Sequence, residues 1–336
     1  MKEKIKISVL GCGHIGRKHA EMIAQNSDCE LVALIDILEK SILNISEYDV
    51  PFFSSLENFL LSNTVTDFIA ICTPNGLHFE QTLQILNKDI SVIVEKPMTL
   101  CSEEANILNE LAEKKNLHLF PVMQNRFSPP AVWLKNMMES NVLGKIFMVQ
   151  ISCYWNRDER YYQKNSWRGT KKLDGGTLFT QFSHYLDIMN WLFGDITNIS
   201  SKLEDFSHQN STEFEDSGII TFDFINGGMG SFNFSTSVWH ENLESSLTVI
   251  AENGSVKVGG QYMDRVEKCL IKDYTMPKLT ETNASNDYGT FKGSAQNHHF
   301  LYKNIVEVIK NEDVAQTTAG ESIKVIEIIE KIYDKN

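Results

Sequence analysis

Apolar residues in the first 120 positions fall in short unbroken runs, Ile5–Leu10, 31–35, 68–72 and Ser91–Val94. Runs that are continuous rather than alternating belong to strands buried on both faces. Between them the stretches 15–25, 79–86 and 103–114 repeat their apolar positions at helical spacing. Strand and helix in alternation predict a doubly wound parallel sheet of the Rossmann type, an α/β domain over residues 1–121. After residue 121 the pattern changes. A long strand at 146–155 and a strong helix at 177–193, closed by Gly194, lead into strand-like runs at 218–224, 230–237, 246–251 and 255–258. Asn226-Gly227 and Asn253-Gly254 punctuate those runs, as hairpin turns do. The segment 260–295 reads as polar and irregular, and helices at 297–310 and 319–334 close the chain. The second domain, 122–336, is therefore predicted as α/β with a large, open, mostly antiparallel sheet for substrate binding and oligomerisation. Its last helices are free to pack back on the first domain.

A length of 336 residues suits two domains, because single cores stop growing near ~250–300 residues. With 42% hydrophobic and 22% charged residues the chain reads as an ordinary globular protein. The net charge of −13 argues against nucleic acid as a partner and leaves small anionic substrates open. The six cysteines form no CxxC pair and lie mostly in apolar segments, so they read as buried thiols. Lys2 and Lys4 ahead of Leu10-Gly11-Cys12 resemble a short lipoprotein signal, but the apolar run is shorter than the ~7–15 residues of a signal core. No run approaches the ~20 apolar residues of a membrane span. The expectation is a cytoplasmic protein with no membrane partner. His298 and His299 are adjacent, offer no metal-ligand spacing and receive no role; no metal is expected.

Gly11-Cys12-Gly13-His14-Ile15-Gly16 has the form G-x-G-x-x-G, follows a strand and opens a helix, with Asp36 at the end of the second strand. This context fits a dinucleotide site. Gly11 allows the tight turn, Gly13 lets the backbone approach a pyrophosphate, and Gly16 lets helix and strand pack closely. The helix N-terminus meets the phosphate with free N–H groups. Asp36 can accept bonds from the ribose hydroxyls and would repel a 2′-phosphate, which selects NAD over NADP. The alternative is a plain glycine turn beside a solvated Asp.

Further segments sharpen the picture. Cys72-Thr73-Pro74-Asn75, with His78, follows the third strand; Glu95-Lys96-Pro97 follows the fourth; Gly175-Gly176 precedes a helix carrying His184 and Asp187. In this order the whole chain resembles the glucose–fructose oxidoreductase/inositol dehydrogenase family (Gfo/Idh/MocA). The segments 124–127, 155–158, 161–162, 167–170 and 174–176 resemble its bacterial branch that oxidises the 3-hydroxyl of UDP-N-acetylglucosaminuronate. That branch leads to diacetamido uronic acids of surface polysaccharide. The resemblance implies NAD as cofactor, a nucleotide-sugar substrate and a homo-oligomer, dimer or tetramer. It also implies that Thr73, Pro74, Asn75, His78, Glu95, Lys96 and Asn125 line the cofactor, with Lys96 and His184 catalytic.

The residues themselves support parts of this. Lys96 stands at the carboxyl edge of a buried strand, where ligands of such sheets bind, and Pro97 restricts its backbone. Partly desolvated beside a cationic ring, its pKa should fall enough for it to act as a base; without the family context it is a surface lysine. Thr180, His184 and Asp187 fall at i, i+4 and i+7 of the predicted helix and share a face, so Asp187 can hold the imidazole. A lone His on an apolar helix reads equally as a packed core residue. Much of the family has an acidic residue at position 180 and the uronate branch often Asn, whereas Thr cannot act as a base. The segment 157–172 gathers Arg157, Arg160, Lys164, Arg168, Lys171 and Lys172 among Tyr161, Tyr162 and Trp167. This basic, aromatic island suits a diphosphate and a carboxylate, with Arg157, Tyr162, Trp167, Arg168, Thr170, Thr180 and Asp187 as the substrate set. Its other reading is a basic surface loop or subunit contact. The rival substrates are neutral UDP-N-acetylglucosamine and an inositol-like polyol; a non-catalytic dinucleotide sensor is the rival of another class.

Overall fold

The computed structural model describes residues 4–164 and 166–335; Lys2 of the signal-like start and Asn165 of the basic segment lie outside them. It divides into two compact units, 1–123 with 298–323, and 124–297 with 324–336. In the first, β1 (Ile5–Leu10), α1 (His14–Gln25), β2 (Cys29–Ile35), β3 (Phe52–Phe53), α2 (Leu56–Leu60), β4 (Phe68–Ile71), α3 (His78–Asn87), β5 (Ser91–Val94), α4 (Ser102–Lys115) and β6 (Leu119–Pro121) follow in order. The sheet runs β3-β2-β1-β4-β5-β6, with every pairing parallel. β4 and β5 are wholly buried, as their unbroken apolar runs require. The carboxyl ends of β1, β2, β4 and β5 carry the glycine turn, Asp36, Thr73 and Lys96.

The second unit holds α5 (Pro129–Glu139), β7 (Ile146–Tyr154), α6 (Ser183–Phe193), β8 (Ile196–Glu204), β9 (Ser217–Phe224), β10 (Met229–Ser235), β11 (Glu244–Ala251), β12 (Gly254–Gly259), β13 (Arg265–Ile271) and the hairpin β14 (Ser285–Asp287) and β15 (Lys292–Ala295). Its sheet runs β13-β12-β11-β7-β10-β9-β8. It is antiparallel except where β7 meets β10. The hairpin turns at Asn226-Gly227 and Asn253-Gly254 join β9 to β10 and β11 to β12. β13 and the β14–β15 hairpin fall inside the segment expected to be irregular, because β13 is exposed or half-buried and the short, mostly polar β14 and β15 give no apolar alternation. The expected single helix 177–193 is also corrected: residues Leu178–Phe182 form a π turn and α6 begins only at Ser183.

The chain closes with α7 (His298–Ile309) and α8 (Ala319–Tyr333). α7 belongs to the first unit, and α8 starts there and ends in the second. Among the described residues no helix is long and apolar enough to cross a membrane.

Candidate active site

The glycine turn has the geometry that a dinucleotide needs. Gly11 adopts φ +87°, and a Cβ there would lie 2.8 Å from the Cys72 carbonyl carbon. A Cβ at Gly16 would run into the Gly11 carbonyl oxygen, so only glycine lets α1 sit this close to β1. At Gly13, by contrast, a Cβ would meet nothing within 4 Å, which leaves open space beside the start of α1 for a phosphate group. Asp36 accepts from the amides of Cys12 (2.6 Å) and Leu38 (2.8 Å) and stays half-buried at the end of β2. Each carboxylate oxygen keeps lone-pair capacity for a ribose hydroxyl. His14 and Ile15 form the first turn of α1, with His14 Nδ1 3.0 Å from the Arg17 guanidinium.

The next two loops show different roles from those expected for two of their residues. Thr73 donates its hydroxyl to Gln81 at 2.5 Å, and Pro74 and Asn75 open the short turn into α3. His78 does not line a cofactor surface. It is fully buried, with Nδ1 2.8 Å from the Pro97 carbonyl oxygen and Nε2 2.9 Å from that of Thr73. It therefore braces the Thr73 and Lys96-Pro97 loops against each other, and burial lowers its pKa against the opposing pull of those carbonyls. Glu95 is likewise turned inward. Its Oε1 receives His19 Nε2 (2.9 Å) and His298 Nε2 (3.1 Å), and its Oε2 receives the Lys96 amide (3.2 Å). Lys96 itself is half-buried at the end of β5, and the Lys96–Pro97 peptide is cis.

In the second unit, Asn125 is buried and its Oδ1 has no hydrogen-bond partner among the described residues, an acceptor open to a ligand's donor. His184 is buried on the first turn of α6. Asp187, expected to contact substrate and hold that imidazole, is gripped by Arg126, with Nε–Oδ2 2.8 Å and Nη2–Oδ1 2.6 Å. This bidentate pair is fully buried, so the Asp187 carboxylate anchors α6 to the segment carrying Asn125. Thr180 lies in the π turn ahead of α6, and its hydroxyl is pressed against the carboxylate of buried Asp174. Asp174 also accepts from the Gly169 amide at 2.7 Å. An acid thus stands beside position 180 although the residue there is Thr.

The basic segment separates into buried and available members. Arg157 is only 2% exposed. Its head donates to Gln181 (2.9 Å), the Asn156 carbonyl (2.6 Å) and the Lys292 carbonyl (2.9 Å), under the rings of Trp155, Tyr161 and Phe291. It is an internal tie rather than an open anion receptor. Tyr162 packs with Tyr161, Phe214 and Phe291, and the Thr170 hydroxyl closes a turn on the Trp167 carbonyl at 2.8 Å. Arg160 is paired with Asp158. Arg168 differs from all of these. Its guanidinium lies 4.6 Å from the Tyr161 ring and 5.0 Å from the Trp167 ring, and its buried Nε has no hydrogen-bond partner among the described residues. A separate cavity of about 490 Å³ is lined by Lys171 with Glu204, Asp205 and Glu215. Three carboxyl groups against one lysine make it unsuitable for a diphosphate.

Comparison with known proteins accords with this arrangement. The GFO/IDH/MocA model, an oxidoreductase family with an NAD-binding Rossmann fold, matches residues 5–122, and the GFO/IDH/MocA C-terminal domain matches residues 132–257. The solved WlbA dehydrogenase from Bordetella pertussis, in complex with NADH and UDP-GlcNAcA, is 27% identical; the match covers 99% of this chain and 96% of that one, with TM-score 0.86. The WlbA dehydrogenase from Chromobacterium violaceum, with the same two ligands, is also 27% identical, covering 100% and 94%, with TM-score 0.87. Oxidoreductase P35 of Formosa agariphila is 26% identical over 264 residues, 76% of this chain and 79% of its own.

Proposed function

The chain belongs to the GFO/IDH/MocA family of oxidoreductases, with an NAD-binding Rossmann domain, and we propose that it oxidises the 3-hydroxyl of UDP-N-acetylglucosaminuronate. The observation that carries this reading is the likeness, over almost the whole chain, to two dehydrogenases solved with NADH and UDP-GlcNAcA. Arg168 supports it independently, as a cation caged by aromatic rings with an unanswered N–H. Such a group suits the substrate's carboxylate or diphosphate.

Bound NAD supplies the acceptor for the hydride that leaves C3. Gly13 and the first turn of α1 would hold its pyrophosphate, and Asp36 its adenosine ribose. Lys96, as the neutral amine, takes the proton of the 3-hydroxyl, so that a C3 ketone forms as the C–H bond breaks. His184 orients the same oxygen by a hydrogen bond, and Arg168 with Trp167 binds the charged part of the nucleotide sugar. Exposed Met148, Ile219 and Met229 on the second sheet are apolar positions that a second copy of the chain would cover, in a dimer or tetramer.

The reading is tested by mixing purified protein and NAD with UDP-sugars and inositols, following absorbance at 340 nm and identifying the product by NMR. Reduction of NAD with the uronate and a ketone at C3 are expected. Turnover of an inositol alone would overturn the substrate.

A further inference from the structure

We propose that Glu95, held by His19, His298 and Tyr302, is the positioning residue of the reaction and acts through Lys96. This rests on the proposed role of Lys96 as proton acceptor. The geometry is a closed hydrogen-bond circuit inside the first unit. Tyr302 and His19 Nδ1 are 2.7 Å apart, His19 Nε2 and His298 Nε2 reach the same Glu95 oxygen, and the other Glu95 oxygen takes the Lys96 amide.

Each imidazole points Nε2 at Glu95, and His19 Nδ1 faces the Tyr302 hydroxyl. Burial alone would raise the Glu95 pKa, but the bonds from both histidines hold it well below the usual carboxylate range. Burial lowers that of His298, against the opposing pull of Glu95.

A buried charge of this kind adds little to stability compared with a well-packed apolar residue. What it does here is geometric. His19 lies one turn beyond the glycine turn on α1, His298 and Tyr302 lie on α7, and the Lys96 amide ends β5. The carboxylate joins the three elements at one point and fixes the peptide from which the Lys96 side chain departs. Neither the glycine turn nor Asp36 touches this circuit, so loss of the charge should leave the cofactor contacts in place.

The experiment is a double-mutant cycle on the full chain with UDP-N-acetylglucosaminuronate and NAD, with NAD affinity measured by calorimetry. Glu95→Gln keeps the shape but replaces one of the two acceptor oxygens by an NH2 donor, so either the Lys96 N–H or the two His Nε2 groups lose their acceptor. Misplacement of a catalytic group by about 1 Å can cost roughly a hundredfold. The expected result is a fall of that order in kcat, with KM and NAD affinity nearly unchanged. In a Lys96→Met background the same change should have no further effect, because residues acting as one unit are not additive. Wild-type kcat in Glu95→Gln, or equal losses in both backgrounds, would overturn the inference. Full activity of Lys96→Met alone would overturn the base assignment instead, so the two failures are distinct. If Glu95→Gln does not fold, His298→Asn removes one donor, keeps the carboxylate and is read by the same cycle.

Discussion

Asp36, the residue proposed to hold the adenosine ribose, has its carboxylate fixed by two backbone amides. Asp36→Ala should weaken NAD binding and relax discrimination against NADP by about tenfold, the effect of removing about 1.4 kcal/mol of repulsion; calorimetry with both cofactors measures it. Lys96→Met should lower kcat by ~10²–10⁴-fold, the usual contribution of an acid–base group, and leave the NAD dissociation constant alone. Arg168→Ala should raise KM for the uronate roughly ten- to a hundredfold, since a charge-assisted bond is worth about 1.5–3 kcal/mol. If Arg168 meets the carboxylate, KM for the neutral sugar changes much less; if it meets the diphosphate, both rise together. Glu215 offers a test away from the chemistry. Burial, offset in part by the Tyr333 hydroxyl, raises its pKa from 4.5 to about 7. A raised carboxylate favours the fold when protonated, so its contribution is present below pH 4.5 and is lost as pH climbs through 7. Glu215→Gln should therefore raise the Tm more at pH 8 than at pH 5. Local motifs made Gly11, Gly13, Gly16, Asp36 and Lys96 readable in the sequence. The partners of Glu95 were not readable. His19 and His298 stand 76 and 203 residues from it, and only the fold brings them together.

Elements with strong periodicity were readable, and those without it were not. β1, β5, α3 and α4 fall within a residue or so of the patterns that predict them. β8 has a largely polar, exposed sequence, as edge strands often do, and carries no signal. The π turn ahead of α6 is invisible to helical periodicity, because one extra residue per turn leaves the apolar face almost intact. Within it Thr180 stands against Asp174. Close packing of α1 on β1 at Gly16 gives a prediction about elements. Gly16→Ala puts a methyl group into the Gly11 carbonyl, should cost about 1–3 kcal/mol as overpacking does, and should weaken NAD binding together with the Tm. A variant as stable and as tight as wild type would remove the packing role of Gly16.

Across the molecule, fold class and family followed from order and spacing, since strand–helix alternation and the hairpin-rich second half each leave an imprint along the chain. The charge pattern was less direct. A net charge of −13 surrounds a basic segment whose arginines divide, on folding, into an internal tie at Arg157 and an available head at Arg168. Sequence alone weights them equally, because burial is decided by side chains such as Gln181 and Phe291 far along the chain. The proposed activity requires a nucleotide sugar that carries a carboxylate. The most direct measurement is kcat/KM with NAD for UDP-N-acetylglucosaminuronate and for UDP-N-acetylglucosamine on one preparation. The uronate should be favoured roughly ten- to a hundredfold, the worth of one charge-assisted bond. Equal values for the two sugars would contradict the assignment.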